Sequence, residues 1–281
     1  MTFSTRFWAK LSTDEFATRL STGAAADVVA VLPVAATEQH GPHLPLSVDV
    51  DLVDGIVAAC LPHLPQSLPV LFLPTQTIGL SSEHLNFAGT LSLSPETIIR
   101  TWVEIGAAVA RTGVKKMVLF NSHGGNVAVM DIVARELRAH HGMMVFSSSW
   151  YNLPLGDAAE AFSFEEHRFG SHAGDIETSM MLHLKPDSVN MAKAQNFQST
   201  SQTRAQQFPI LGNGKSAKLG WQMQDINPNG AAGNAANATA EKGQALVDEA
   251  GKQLALMLQE VVRCRWGIWM IKICNQQKML G

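Results

Sequence analysis

Four short apolar runs along the chain suit buried strands. They cover residues 28–36, 70–74, 116–121 and 143–147. A run of aliphatic and aromatic residues bounded by turn signals is typical of a strand that is buried on both faces. Such strands usually belong to a parallel sheet with helices on each side. The pattern therefore predicts a mostly parallel sheet.

Amphipathic segments between these runs predict helices. The clearest begins at residues 94–96, where Ser is a favoured N-cap, Pro fits the first helical position and Glu suits the first turn. The apolar residues of its stripe recur at spacings of 4, 3 and 4, at Ile98, Trp102, Ile105 and Val109. Gly113 ends this helix, Gly142 ends a second helix over 127–141, and a third stripe covers 246–261.

Alternating strands and helices predict an α/β fold, a single-domain layered sandwich with a mostly parallel sheet flanked by helices. We expect this domain over residues 1–262 and leave 263–281 as a C-terminal tail without a predicted role. Residues 199–240 are rich in Gly, Asn, Gln and Ser and lack periodicity, so they predict a long loop excursion. In such sheets, loops at the carboxyl ends of the strands carry the function.

The composition argues against several classes of partner. The chain has 21 Lys and Arg against 24 Asp and Glu, a net charge of −3, and no basic stripe, so nucleic acid is not an expected partner. No apolar run approaches the roughly 20 residues that a membrane helix needs. Residues 1–16 lack the continuous apolar region of a signal peptide. We therefore expect a cytoplasmic protein that does not enter a membrane.

Charged residues make up 16% of the chain, below the roughly 25% typical of globular proteins. Because a monomer needs charged surface for solubility, this shortage predicts a homo-oligomer. The alternative is a surface rich in Ala, Ser and Asn.

The three cysteines, Cys60, Cys264 and Cys274, share no CxxC spacing, so a disulfide framework or a thiolate zinc site is not expected.

Imidazoles and carboxylates gather where the predicted strands end. Glu38 and His40 follow the first strand, and residues two apart in an extended chain face the same side. Asp49 comes after a turn bounded by Gly and Pro. His123 ends the third strand beside paired glycines, which allow a ligand to come close. Glu177 lies in a further polar cluster that leads into a helix.

These side chains predict a metal site. Imidazoles and carboxylates without thiolates suit Zn²⁺, Mn²⁺ or Fe²⁺. The five residues Glu38, His40, Asp49, His123 and Glu177 are enough for two ions that share a carboxylate. Alternatively, the Gly-rich turn could cradle a phosphate at a helix N-terminus, although it matches neither GxGxxG nor GxxxxGK[ST]. No GxSxG or HExxH supports a serine hydrolase or a zincin.

Three stretches of the sequence together resemble the creatininase family of metal-dependent amidohydrolases. They are TEQHGPHLPLSVD from Thr37, NSHGGN from Asn121 and HAGDIET from His172. Shorter stretches at 79–90, 230–233 and 240–243 agree, so the resemblance covers roughly residues 28–262. It implies an α/β fold, two divalent metal ions per chain and often a hexamer.

The resemblance also implies a role for each ligand. Glu38 and His123 would bind one metal and His40 the other, while Asp49 would bridge both. Glu177 would complete the shell of the second metal, either as a ligand or as an acid–base group.

The implied activity is hydrolysis of a C–N amide bond in a small molecule, such as a cyclic amide or a formamide, by a metal-bound hydroxide. The metals would stabilise the tetrahedral oxyanion. His172 would be the proton shuttle to the leaving nitrogen, a task that suits imidazole near neutral pH.

The residues expected to bind the substrate are Ser81, Glu83, His84, Gly124, Trp150 and Arg168. Creatininase proper carries Tyr and Glu where this chain has Gly124 and Gly125, and Trp where it has Arg168, whereas Trp150 matches its other pocket Trp. These differences argue against creatinine itself. A guanidinium at the pocket mouth would favour an anionic substrate. Otherwise Arg168 is a surface residue paired with a neighbouring Glu.

Two other functions stay open at this point. The same dinuclear site could hydrolyse a keto-ring or ester substrate. Alternatively, the chain could be a non-catalytic protein that binds a small molecule on the same fold.

Overall fold

A four-stranded parallel sheet forms the centre of the computed structural model, which describes residues 3–265. Its strands are β1 (Val29–Val34), β2 (Val70–Phe72), β3 (Lys116–Asn121) and β4 (Met144–Ser149). They lie in the order β2-β1-β3-β4, and every neighbouring pair is parallel. The predicted α/β class and parallel sheet are confirmed. Strand β4 extends further than predicted, through a run of serines, because an edge strand tolerates polar residues.

Helices cover both faces of this sheet. The helices of the described residues are α1 (Thr13–Ser21), α2 (Val48–Cys60), α3 (Pro95–Arg111), α4 (Val127–His141), α5 (Asp157–Glu160), α6 (Phe164–Phe169), α7 (Asp175–Leu184), α8 (Thr200–Gln207), α9 (Met223–Ile226) and α10 (Ala240–Arg263). The predicted cap of α3 is confirmed, since the Ser94 hydroxyl accepts from the Thr97 amide. Gly142 ends α4 with a φ of 62°.

Alternate residues of β1 face two separate cores. Val29 and Val31 pack in the core that contains apolar residues of α2, α7 and α10. Ala30 and Leu32 pack in the core that contains residues of α3 and α4. A strand with both faces buried in this way explains the continuous apolar run in the sequence.

The segment 199–240 is more ordered than predicted. It contains the helices α8 and α9 and the strand β6 (Gly233–Asn234), which pairs antiparallel with β5 (Asn196–Phe197). Helix α8 has no buried residue, so no apolar stripe marks it in the sequence. The prediction of a loop excursion is therefore wrong for these parts of the segment.

The end of α10 leads to the predicted tail. Arg265 forms an ion pair with Asp27 at 3.1 Å, and the rest of the tail, residues 266–281, lies outside the described residues. Within residues 3–265, no helix combines the length and hydropathy that crossing a membrane requires.

The register of the sheet positions the polar loops. Val34 of β1 pairs with Asn121 of β3, so both strands end at the same level. Because these strands are parallel, the loops that follow them leave from one edge of the sheet. This edge brings together the polar clusters that lie far apart in the sequence.

Candidate metal centre

The loop after β1 buries three predicted ligands. Glu38, His40 and Asp49 are 1%, 0% and 2% exposed. The Glu38 amide donates to the carbonyl of Leu46 at 3.0 Å, which folds the loop back on itself, and Asp49 lies in the first turn of α2. The ring of His40 donates from Nδ1 to the Glu38 carbonyl at 3.0 Å. Its Nε2 therefore carries the free lone pair.

The turn after β3 fixes the orientation of His123. Asn121 Nδ2 donates to the His123 carbonyl at 2.7 Å, and the His123 amide donates to Asn121 Oδ1 at 3.1 Å. The ring donates from Nε2 to the carbonyl of Leu80 at 2.9 Å. Its Nδ1 is therefore directed to Glu38 Oε1 at 3.2 Å and to Asp49 Oδ2 at 3.4 Å.

Asp49 lies between two imidazoles. Its Oδ1 is 3.8 Å from Nε2 of His40, and its Oδ2 is 3.4 Å from Nδ1 of His123. Glu177 of α7 adds its Oε2 at 3.9 Å from the same nitrogen of His40. The structure thus brings the five residues predicted as metal ligands into one cluster.

The segment from His172 to Glu177 closes the cluster from α7. His172 donates from Nε2 to the Gln39 carbonyl at 2.7 Å, and its Nδ1 lies 3.7 Å from Glu38 Oε1. Ala173 has a φ of 52°, the only positive value among the described non-glycine residues. Its amide donates to Glu177 Oε2 at 2.6 Å, which holds that carboxylate near the centre.

The polar atoms of the centre fit a cation. Four of its acceptor atoms are buried without a hydrogen-bond partner among the described residues: His40 Nε2, Glu38 Oε1, Glu38 Oε2 and Asp49 Oδ2. Buried polar atoms in folded proteins are nearly always partnered. The ligand atoms of Glu38, His40 and Asp49 lie within 4.8 Å of one another, as do those of His40, His172 and Glu177. Nitrogen and oxygen donors without sulfur suit divalent ions.

The charges of the centre also fit a cation. Burial lowers the pKa of His40 well below its ordinary value, so the neutral ring can offer its lone pair. Burial and the Glu38 carboxylate raise the pKa of Asp49 well above its ordinary value. Burial opposes the charging of His123, but Glu38, Asp49 and Glu83 raise its pKa to about 10. Carboxylates packed this densely need positive charge, which divalent ions would supply in place of a protonated imidazole.

A cavity of about 340 Å³ opens onto the centre. Of the predicted substrate-binding residues, Gly124 and Trp150 line it. The indole Nε1 of Trp150 is buried and has no acceptor among the described residues. A Cβ at Gly124 would meet no atom within 4 Å, whereas a Cβ at Gly125 would collide with the carbonyl of Leu80. The paired glycines thus leave space on one side and allow close packing on the other.

Three predicted substrate-binding residues lie behind the ligands instead of in the cavity wall. Gln39 Nε2 donates to His84 Nδ1 at 2.7 Å, so His84 directs its Nε2–H to Glu38 Oε1 at 3.4 Å. Glu83 Oε1 lies 3.7 Å from Nε2 of His123, and Ser81 Oγ lies 3.4 Å from the same atom. Burial and then His172 lower the pKa of His84 to about 3, which keeps this ring neutral.

Arg168 does not lie at the mouth of this cavity, contrary to the prediction. It is an exposed residue of α6, and its guanidinium packs 5.1 Å and 5.8 Å from the ring centres of Phe169 and Phe164. It forms no ion pair with a described Glu, so the surface-pair alternative is not observed either. Arg168 lies four residues before His172, but the helical turn of α6 directs it into a second cavity.

Sequence reasoning missed Gln39 and Tyr151. The Gln39 side chain donates to His84 and thereby orients that ring. Gln39 lies between the predicted ligands Glu38 and His40 in the sequence, and this position is a signal that could have identified it. Tyr151 lines the cavity next to Trp150, and burial raises the pKa of its phenol. No pattern in the sequence distinguishes it from a packing residue.

Glu166 was also missed, and it joins three segments around the cavity. Its buried carboxylate accepts from the amides of Ile176 at 3.3 Å and Asn234 at 2.9 Å. Burial raises its pKa. A Cβ would collide with the Glu166 side chain at Gly170, Gly174 and Gly233. Glu166 therefore ties α6 to β6 and to the start of α7, which carries Glu177.

We expect Glu166→Gln to lower the free energy of unfolding by roughly 2–4 kcal/mol, because a buried carboxylate that accepts two amide bonds is replaced by a group that brings an unpaired donor. Denaturation with urea, followed by circular dichroism, measures the loss. The control is the exposed neighbour Glu165, where Glu165→Gln should cost less than about 0.5 kcal/mol. Equal small losses for both variants would contradict this account of Glu166.

A parallel sheet with buried carboxylates and imidazoles at its carboxyl edge defines an α/β protein with side chains that could hold a metal ion. The family model described as creatinine amidohydrolase matches residues 9–258, and the chain belongs to the creatininase family. The resemblance inferred from the sequence is thereby confirmed.

Individual relatives agree with this membership. The chain is 31% identical to the mycofactocin precursor peptide peptidase of Mycobacterium tuberculosis, over 80% of this chain and 84% of that protein. It is 30% identical to the creatinine amidohydrolase of Pseudomonas putida, over 73% of this chain and 81% of that protein. It is 22% identical to the 3-dehydro-scyllo-inosose hydrolase of Thermotoga maritima, over 83% of this chain and 77% of that protein. A crystal structure of creatinine amidohydrolase matches 94% of this chain and all of its own, with a TM-score of 0.73 and 25% identity.

Proposed function

We propose that this protein is a dinuclear metal-dependent amidohydrolase that cleaves a C–N amide bond in a small molecule. The observation that carries the proposal is the position of Asp49. Its two oxygens face two different imidazoles, both oxygens are buried, and Oδ2 has no partner among the described residues. A carboxylate in this position is suited to bridge two ions.

The two ions would have separate ligand sets. Glu38 and His123 would hold the first, His40 and Glu177 the second, and Asp49 would belong to both. Zn²⁺, Mn²⁺ and Fe²⁺ all accept this mixture of imidazole and carboxylate. When bound, such ions supply Lewis acidity, which activates water and polarises a carbonyl.

The chain's own residues would position the substrate and move the proton. His172 keeps Nε2 bonded to the Gln39 carbonyl, so its Nδ1 is free to hold a proton and deliver it to the leaving nitrogen. The unpartnered Nε1–H of Trp150 is a donor for a substrate oxygen. His84, Glu83 and Ser81 would act indirectly, because they orient Glu38 and His123, and such support of ligands tunes a metal site.

The names of two relatives support amide hydrolysis as the reaction. One is a peptide peptidase and the other a creatinine amidohydrolase, so both act on C–N bonds of the amide type. The open space beside Gly124 favours a substrate larger than creatinine.

A panel of substrates tests the proposal. Metal-loaded protein is incubated with creatinine, N-formyl amines and short peptides, and the released amine is measured with and without a chelator. We expect at least one amide to be hydrolysed, with creatinine poor or inert, and no turnover after chelation. Hydrolysis that persists without metal, or no amide hydrolysis at all, would contradict the proposal.

A hydrolase of a keto-ring substrate is the second candidate, favoured by the relative named 3-dehydro-scyllo-inosose hydrolase. Adding a cyclic ketone and a simple ester to the same panel separates it from the first. Turnover of these alone would assign the site to this second class. Binding of substrate analogues without any turnover would instead favour the non-catalytic alternative.

We also propose that the chain forms a hexamer. Five large apolar side chains among the described residues are more than half exposed: Leu85, Phe164, Ile210, Leu211 and Leu219. Charged residues are scarce in the sequence. Closed symmetry is the usual solution for homo-oligomers. Light scattering at micromolar concentration should therefore give six times the chain mass of 30.3 kDa. A mass of one chain would rule the hexamer out.

A further inference from the structure

A second cavity, of about 270 Å³, lies beside the metal centre. Arg168 and Phe169 of α6 line it, whereas their neighbours His167 and Gly170 line the metal cavity. The end of α6 therefore forms part of the wall of both cavities. The opposite side of the second cavity is formed by α8 and by residues 211–221.

Three cationic side chains line this second cavity, which we call the cationic cavity. They are Arg168, Arg204 and Lys218, and the lining contributed by the described part of the chain includes no acidic residue. None of the three forms an ion pair or a side-chain hydrogen bond with another described residue. Arg204 is half-buried on α8, while Lys218 is exposed. Positive heads without a counter-charge in a concave site attract an anion.

The backbone fixes the shape of the cationic cavity. The Gly212 amide donates to the carbonyl of Phe208 at 2.7 Å. A Cβ at Gly212 would collide with the carbonyl of Arg204 and with Ala205, so the loop packs directly on α8. The backbone of α8 at Arg204 and the start of the loop that carries Lys218 are thus held together.

Trp221 connects the cationic cavity to the metal centre. It lines the cavity and meets His84 edge-on, with ring centroids 6.4 Å apart. His84 in turn contacts the predicted metal ligand Glu38 at 3.4 Å. One indole and one imidazole therefore lie between the cationic cavity and Glu38, and the end of α6 lies between the two cavities.

We propose that the cationic cavity binds an anionic group, a carboxylate or a phosphate, of the amide substrate. The inference rests on the proposed amidohydrolase function and adds the class of substrate. Two guanidiniums offer planar forks that match such groups in a bidentate manner. The sequence also predicts an anionic substrate. Here, however, Arg168 would bind the anionic group together with Arg204 and Lys218, in a site separate from the metal cavity.

Binding of a simple anion tests the site without turnover. Benzenesulfonate carries one anionic group and an aromatic ring, and titration calorimetry on the metal-loaded protein measures its affinity. We expect one binding site per chain. Arg204→Ala should lower the affinity for benzenesulfonate roughly tenfold or more, and Lys218→Ala, on an exposed loop, should lower it as well. Lys215→Ala removes the same charge from the same loop, but Lys215 does not line the cavity and this control should bind normally.

Kinetics with matched substrates test whether the cationic cavity takes part in substrate recognition. Each amide of the active class is prepared with a free carboxylate and as the neutral carboxamide. In the wild type, KM should be lower for the charged member, and Arg204→Ala should raise only that KM, roughly tenfold, with kcat unchanged.

The possible outcomes separate the inference from the proposed function. Equal KM values for both members, together with no effect of Arg204→Ala or Lys218→Ala on benzenesulfonate, would overturn the inference and leave amide hydrolysis intact. Binding that depends on Arg204 and Lys218, in a protein that hydrolyses no amide, would retain the anion site and reject the proposed function.

Discussion

Asp49→Ala is expected to remove both metal ions and to lower kcat/KM by about 10³-fold or more. The reason is that each Asp49 oxygen faces a different imidazole of the centre, so neither ligand set is complete without it. Lewis-acid stabilisation is worth several kcal/mol, and each 1.4 kcal/mol is about a factor of ten in rate. Metal content by plasma mass spectrometry and steady-state kinetics on the amide found in the panel measure the two effects.

The matched control is Asp54→Ala. Asp54 is an exposed residue of the same helix, and among the described residues it accepts only from the hydroxyl of Thr75. This variant should keep its metal and its activity. If Asp49→Ala kept both ions, Asp49 would not bridge them, and the assignment of ligands would have to change.

His172→Gln is expected to lower kcat by about 10²–10⁴-fold while the metal content stays the same. Delivery of a proton by a positioned side chain typically contributes this much. Glutamine can keep a hydrogen bond to the Gln39 carbonyl, which His172 makes in the structure, but its amide cannot carry a proton to the leaving nitrogen. Turnover and metal content measured on the same sample separate lost chemistry from a lost ligand.

His140→Gln controls for the loss of an imidazole. His140 is exposed on α4, pairs with Glu136 at 3.4 Å and is not among the residues that line the cavity. It should leave kcat unchanged. A normal kcat for His172→Gln as well would give His172 a structural role, whereas a loss of metal would make it a ligand.

The sheet and the cluster of candidate metal ligands could be predicted from the sequence because both depend on local patterns. Buried strands of a parallel sheet are apolar on both faces, so β1 and β3 appear as continuous runs. Polar side chains directly after such runs must lie at one edge of the sheet. For this reason the sequence predicts that Glu38, His40 and His123 lie close together.

Other parts of the site depend on tertiary contacts that no local pattern reveals. Glu166 is one of several acidic residues on a short helix, and only three glycines from distant segments mark its carboxylate as buried. The direction of the Arg168 side chain depends on the turn of the short helix α6, which no periodic pattern marks in the sequence. Helix α8 is exposed and polar, so the stripe that identifies a packed helix is missing.

The metal content of the freshly purified wild-type protein tests the central claim most directly. The protein is expressed in metal-replete medium, and gel filtration removes loosely bound ions. Plasma mass spectrometry then gives the number of ions per chain. The account predicts close to two divalent ions, both removed by prolonged chelation together with the activity. Protein that contains no divalent ion under these conditions, and takes up none when Zn²⁺, Mn²⁺ or Fe²⁺ is added, would contradict it.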